Sequence, residues 1–131
     1  MNPILTPRFS AAFAAGWIEA WNARDLERIL KHYGRDIEFT SPFVSRMLNG
    51  NSNTVRGIAL LRVYFTRALN AYPDLQFILQ RVYSGSQSLV IEYRSISDQL
   101  AAEAMEFNDS GLVVRVNAHY APANLKPSGQ R

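Results

Sequence analysis

Hydrophobic patterning predicts an α+β fold in which a curved antiparallel sheet forms a cone around three N-terminal helices. Three observations carry this. Apolar residues recur at spacings of three and four through most of residues 9–72, then alternate with polar ones through residues 75–120. Two short turns, Ser84-Gly85-Ser86-Gln87 and Asn108-Asp109-Ser110-Gly111, join the alternating stretches into hairpins. Helices segregated from an antiparallel sheet are the signature of the α+β class. A length of 131 residues, 47% of them hydrophobic and 19% charged, fits a single domain over 1–131. Its core spans about 9–121, and the Pro-, Ser- and Gly-bearing residues 122–131 read as a flexible tail.

In the first helix Phe9, Phe13, Trp17, Ala20 and Trp21 share one face, and Thr6 or Ser10 can cap it. After the break Asn22-Ala23-Arg24-Asp25, Asp25 caps a second helix from Leu26 to Tyr33, ended by Gly34. Leu26, Ile29, Leu30 and Tyr33 form its buried stripe, and His32 turns to solvent. Asp36 to Ser41 alternates as a strand with Ile37, Phe39 and Ser41 inward, ended by Pro42. Residues 43–53 read as a loop over the cone's mouth. Thr54 caps a third helix running to about Ala71, with Ile58, Leu61, Phe65, Leu69 and Tyr72 on its apolar face, and Pro73 stops it. Four strands follow: Leu75–Tyr83, Leu89–Ile96, Ala101–Phe107 and Leu112–Tyr120.

Several function classes are set aside by composition. There is no cysteine, which removes disulfides, thiolate metal sites and a cysteine nucleophile, and fits a reducing, cytoplasmic setting. Two isolated histidines without ligand spacing argue against a metal site. No G-x-G-x-x-G, P-loop or G-x-S-x-G is found, so no cofactor is expected. The net charge of +3 is mild and dispersed, which does not suggest nucleic acid. The longest apolar run, Ala11 to Ile18, is too short to span a bilayer, and no cleavage-site pattern follows it, so neither a membrane nor a secretory leader is expected.

Three stretches resemble the nuclear transport factor 2-like superfamily, in its SnoaL-like branch of polyketide cyclase- and ketosteroid isomerase-like proteins. They are Trp17 to Leu26, with its A-x-N-A-x-D-L join of two helices; Ile37 to Pro42; and Phe107 to Val114, an F-x-x-x-G-x-V-V hairpin. Arg56-Gly57 adds to the likeness. The resemblance implies a cystatin-like α+β barrel with a ligand cavity, and it implies cofactor-free isomerase, cyclase or dehydratase chemistry on a hydrophobic cyclic or polyketide-like molecule. It also implies a homodimer formed through the outer sheet face.

Carried over residue by residue, the isomerase pattern is incomplete. Its carboxylate base falls on Ser41, its phenol donor on Trp17 and its protonated acid on Glu103. The acid that cyclases carry on the last strand has no counterpart among Val116, Ala118 and Tyr120. Alternation places Glu103 beside Met105 and Phe107, where desolvation would raise its pKa towards a useful acid/base range. The candidate catalytic set is Glu103, Tyr120 and Ser41, and the candidate ligand wall is Trp17, Phe39, Leu61, Phe65, Tyr93, Met105 and Ala118. Arg115, Asn117 and His119 fall on the outer face and are the candidate dimer surface. Three readings stay open: an enzyme using Glu103, a non-catalytic binder of a small hydrophobic molecule, and an interaction module whose cavity is filled by its own side chains.

Overall fold

A computed structural model describes residues 6–122. In chain order the elements are α1 (Pro7–Asn22), α2 (Leu26–Leu30), β1 (Tyr33–Thr40), α3 (Val44–Leu48), β2 (Thr54–Arg56), α4 (Ile58–Ala71), β3 (Ile78–Ser84), β4 (Ser88–Arg94), a 3-10 turn (Ile96–Asp98), β5 (Leu100–Phe107) and β6 (Val113–Tyr120). The sheet order is β2-β1-β6-β5-β4-β3. It is an unclosed, curved sheet, and the fold is α+β as the patterning predicts. The expected tail lies outside the described residues except for Pro122.

The start of α1 follows capping chemistry. Thr6 Oγ1 accepts from Phe9 N at 3.1 Å, and Pro7 sits where its missing N–H costs nothing. Ser10 is not the cap. It is buried and shares a hydrogen bond of 2.8 Å with Ser84 Oγ, tying α1 to β3. Phe13, Trp17, Ala20 and Trp21 form the buried stripe. Asp25 caps α2 by accepting from Arg28 N. Asn22 of the join makes two hydrogen bonds with the Phe77 backbone, at 2.9 and 2.7 Å. These hold the approach to β3 against α1, and β3 starts at Ile78 rather than Leu75.

Five expectations need correction. The second helix stops at Leu30, and Tyr33 opens β1. The spacing of Ile29, Leu30 and Tyr33 fits a helical stripe, but Val113 N donates to His32 O at 2.9 Å and draws the chain into the sheet. Gly34 serves that approach: a Cβ there would meet Val114 Cγ1 at 3.3 Å. The sheet is not wholly antiparallel, because β1 runs parallel to β6. Thr54 does not cap a helix. It lies on β2 and shares a hydrogen bond with Thr40 across the β1–β2 pair, while Gly57, at φ +91°, begins α4. The 43–53 segment is not all loop, since it holds α3, so the described helices number four. His32 is half-buried rather than solvent-facing, with its ring edge-on to Phe13 at 5.1 Å.

The helices cover the concave face of the sheet. Ile37, Phe39, Ile91, Tyr93, Glu103, Met105, Val116 and Ala118 are buried there. The convex face carries Glu38, Glu106, Arg115, Asn117 and His119, with Glu38 3.5 Å from Arg56 and 3.8 Å from Arg115. No helix of the described residues is long and apolar enough to cross a membrane.

Candidate active site

A half-open cavity of about 820 Å³ occupies the concave side. Its walls come from α1, β1, α3, α4 and β4–β6. Trp21, Phe39, Phe65 and Phe77 supply an aromatic lining, and Phe43, Met47, Tyr72, Ile96 and Leu100 border it. Glu103, Tyr93, Tyr64 and Tyr120 are polar groups of the walls, and Arg94 at the end of β4 and Ser97 and Asp98 on the β4–β5 connection add others.

Glu103 sits centrally on β5, with Ile91 and Ala118 as its neighbours in register on the flanking strands. It is 5% exposed. Tyr93 Oη donates to Glu103 Oε2 at 2.5 Å, whereas Oε1 has no hydrogen-bond partner. Burial pushes the carboxyl up to about 7, and the Tyr93 hydrogen bond pulls the other way. The surrounding phenols move up for the same reason. Tyr33, Tyr64, Tyr93 and Tyr120 are all raised by burial and further by the negative charge that Glu103 can carry, so at neutral pH they are hydrogen-bond donors rather than bases.

The cavity brings together Phe39, Phe65, Tyr93, Glu103 and Tyr120. The other candidates lie behind its surface. Trp17 is fully buried, stacked on Phe77 at 5.6 Å, and its indole N–H donates to Tyr33 Oη at 2.9 Å. The position that would match an isomerase phenol is therefore engaged with the core. Leu61 and Met105 are fully enclosed by packing, and Ala118 is too short to project past its neighbour Glu103. Ser41 is buried, and its Oγ accepts from Phe43 N at 3.2 Å as the chain turns into α3. Hydrogen bonding to Ser41 pulls the pKa of Tyr64 and of Tyr120 down, against the larger upward push of burial, so Ser41 touches two of the phenols that line the cavity.

Several lining residues escaped the sequence reading. Tyr64 lies three residues after Leu61 and Trp21 four after Trp17, so helical spacing marks both as inward. That these side chains meet the cavity depends on the distance between α1, α4 and the sheet, which no local pattern encodes. The Ser95–Gln99 contribution comes from a loop with Ser97 and Asp98 at φ 57° and 61°.

Among the described residues no group of three or more His, Asp or Glu side chains is placed to hold a metal ion. The chemistry on offer is proton transfer by one carboxyl in an aromatic chamber with neutral phenols around it.

Solved structures with related folds bear on this arrangement. A SnoaL-like protein of unknown function from Burkholderia thailandensis is 38% identical over 89% of this chain and 98% of its own, with a TM-score of 0.84. A candidate ketosteroid isomerase from Kribbella flavida is 22% identical over 92% of this chain and 83% of its own, with a TM-score of 0.68, and shares the fold. So does a candidate polyketide cyclase from Streptomyces antibioticus, 15% identical over 85% of this chain and 91% of its own, with a TM-score of 0.71. No functionally curated protein matches the chain. The SnoaL-like domain model matches residues 14–123, nearly the whole of the described fold, and the chain belongs to that family.

Proposed function

We propose that this protein is a cofactor-free acid/base enzyme acting on a hydrophobic cyclic or polyketide-like ketone in the cavity, with Glu103 as the proton-transfer group. One observation carries the reading: Glu103 is buried in the cavity wall with one oxygen held by Tyr93 and the other without a partner. A group whose protonation balances near neutrality suits both halves of a proton transfer. Its carboxylate form takes a proton from the carbon beside a ring carbonyl, and the electron pair moves onto the carbonyl oxygen, where a neutral phenol such as Tyr120 donates a hydrogen bond. The same proton is returned to carbon or oxygen to give the rearranged product. Tyr93 is a positioning residue in this scheme, because it holds the carboxyl rather than the ligand.

The test is deuterium exchange at the carbon beside the carbonyl in a panel of cyclic ketones, followed by NMR. The wild type is expected to speed exchange, and Glu103→Gln to remove that effect while still binding the ketone. Binding without exchange in the wild type would instead support a non-catalytic binder, a reading favoured by Ser41 standing where the isomerase pattern has a carboxylate.

We also propose that two copies pair through the convex sheet face. That face sets Glu38 and Glu106 beside Arg56, Arg115 and His119, and a surface carrying both signs of charge can be complementary to its own copy about a two-fold axis. Light scattering on the wild type and on Arg115→Glu tests this, with a dimer expected for the first and a monomer for the second.

A further inference from the structure

Ser41 follows the last residue of β1 and is fully buried. Its backbone is engaged on both sides: its N–H donates to Asn53 O at 3.0 Å, and its carbonyl accepts from Val44 N at 3.1 Å. Its Oγ accepts from Phe43 N at 3.2 Å. These three bonds fix the hydroxyl in place, yet none of them takes its proton. A buried hydroxyl proton without an acceptor destabilises the fold, so where this one goes matters.

Two phenols are within its reach. Hydrogen bonding to Ser41 lowers the pKa of Tyr64 and of Tyr120, against the upward push of burial. Tyr64 comes from α4 and Tyr120 from the end of β6, and both line the cavity. The aromatic residues two steps before and two steps after Ser41 hold their rings. Phe39 lies 5.5 Å from Tyr64, and Phe43 lies 4.7 Å from Tyr120. Neither phenol oxygen is among the described side-chain polar atoms that are both buried and unpartnered.

A serine hydroxyl has one proton and two acceptor sites. Phe43 N–H fills one acceptor site, which leaves Ser41 one donor and one acceptor for two phenols. It therefore accepts from one and donates to the other, and the phenol that receives its O–H keeps its own proton for the cavity. Tyr120 is the phenol nearer the carboxyl chemistry. Tyr93, whose proton goes to Glu103 Oε2, is within hydrogen-bonding reach of Tyr120. We propose that Ser41 is a positioning residue that directs a hydroxyl relay from Tyr64 through Ser41 to Tyr120, aiming the Tyr120 O–H at the carbonyl oxygen of the ligand. The catalytic use of the relay rests on the acid/base reading of Glu103, and its direction does not. Without ligand the Tyr120 proton turns to Tyr93 Oη. The negative oxygen that develops during proton transfer is the stronger acceptor and takes it. Each hydrogen bond in such a chain polarises the next, so the last donor is the one strengthened. A carboxylate at position 41 only accepts, and it would draw both phenol protons away from the ligand.

Ketone exchange kinetics on variants test this. Ser41→Ala is expected to lower kcat about tenfold with KM within about twofold, and Ser41→Thr, which keeps the hydroxyl, to stay within about threefold of the wild type. Tyr64→Phe removes the head of the relay without altering position 41, and it is expected to lower kcat about threefold. Ser41→Asp is expected to fall at least as far as Ser41→Ala. The proposal is overturned if Ser41→Ala or Tyr64→Phe matches the wild type, if folded Ser41→Thr falls as far as Ser41→Ala, or if Ser41→Asp speeds exchange, which would make position 41 a base site. A binding measurement separates this from failure of the acid/base reading. In Glu103→Gln protein, 4-nitrophenol is titrated at a pH where it is ionised, with 4-nitrotoluene as a neutral probe of like shape. Adding Ser41→Ala is expected to weaken 4-nitrophenolate binding about tenfold and 4-nitrotoluene binding by no more than about twofold. If Ser41→Ala does not fold, Tyr64→Phe takes its place in both measurements. Absent exchange in the wild type with this difference retained sinks the acid/base reading and keeps the relay. Equal loss for the two probes, or no binding of 4-nitrophenolate, overturns the relay.

Discussion

Strand β5 carries two glutamates three residues apart, and they live in different chemical worlds. Glu103 points into the concave side, 5% exposed, with a phenol as its hydrogen-bond partner and a carboxyl pushed up to about 7. Glu106 points to the convex side, exposed, in register with Arg115 on β6. Glu38 on β1 shares that outer environment, between Arg56 and Arg115. The pleat alone makes the difference, since residues an odd number of steps apart face opposite sides. The lesson is that one side of this sheet takes its carboxyl out of water without giving it a cation, and the other keeps its carboxyls in water with arginines nearby. The first arrangement costs stability when the group ionises, and the second costs almost nothing.

The comparison can be broken most severely at the chemistry. Glu103→Gln should lower ketone proton exchange by about a hundredfold or more, whereas Glu106→Gln should leave it unchanged, as measured by deuterium incorporation. The next effect is on stability. The folded protein holds the Glu103 proton more tightly than the unfolded chain, whose carboxyl has its ordinary value of 4.5. The stabilisation is therefore complete below pH 4.5 and falls as pH rises to about 7, a span of about 3 kcal/mol. Urea melts at a series of pH values should show this slope in the wild type and lose it in Glu103→Gln. Smaller again is Tyr93→Phe, which removes the hydrogen bond to Oε2. It should cost about 1–2 kcal/mol and move the carboxyl midpoint upward, because that bond favours the charged form. Smallest is the outer face, where Glu38→Gln should change monomer stability by less than about 0.5 kcal/mol, since both of its ion pairs are solvent-exposed.

Much of this arrangement was legible from residue spacing. The α1 stripe and both hairpins follow local periodicity, and the inward placement of Glu103 follows from alternation with Met105 and Phe107. What could not be read locally depends on distant partners. Thr54–Arg56 is three residues long, too short for a period to show, and is a strand because Glu38, Phe39 and Thr40 pair with it. Tyr33 suits a helical stripe until β6 supplies a neighbour. Trp17 and Trp21 have the same periodic credentials, yet only Trp21 lines the cavity, which is decided by how α1 crosses the sheet.

The parallel pairing of β1 with β6 also bears on how the chain folds. Tyr33 lies in register with Val113, and Phe39 with Val116, so strands from opposite ends of the sequence must meet before the concave face is complete. Closing so long a loop carries an entropic cost that only the finished contact repays, and topologies dominated by such contacts fold in milliseconds to seconds rather than microseconds. During synthesis β1 emerges long before its partner, leaving Ile37 and Phe39 without one side of their packing until β6 has left the ribosome. Assembly is thus a late, concerted event, and a fragment ending before Val113 would collapse without acquiring the chamber that Glu103 and Trp21 share.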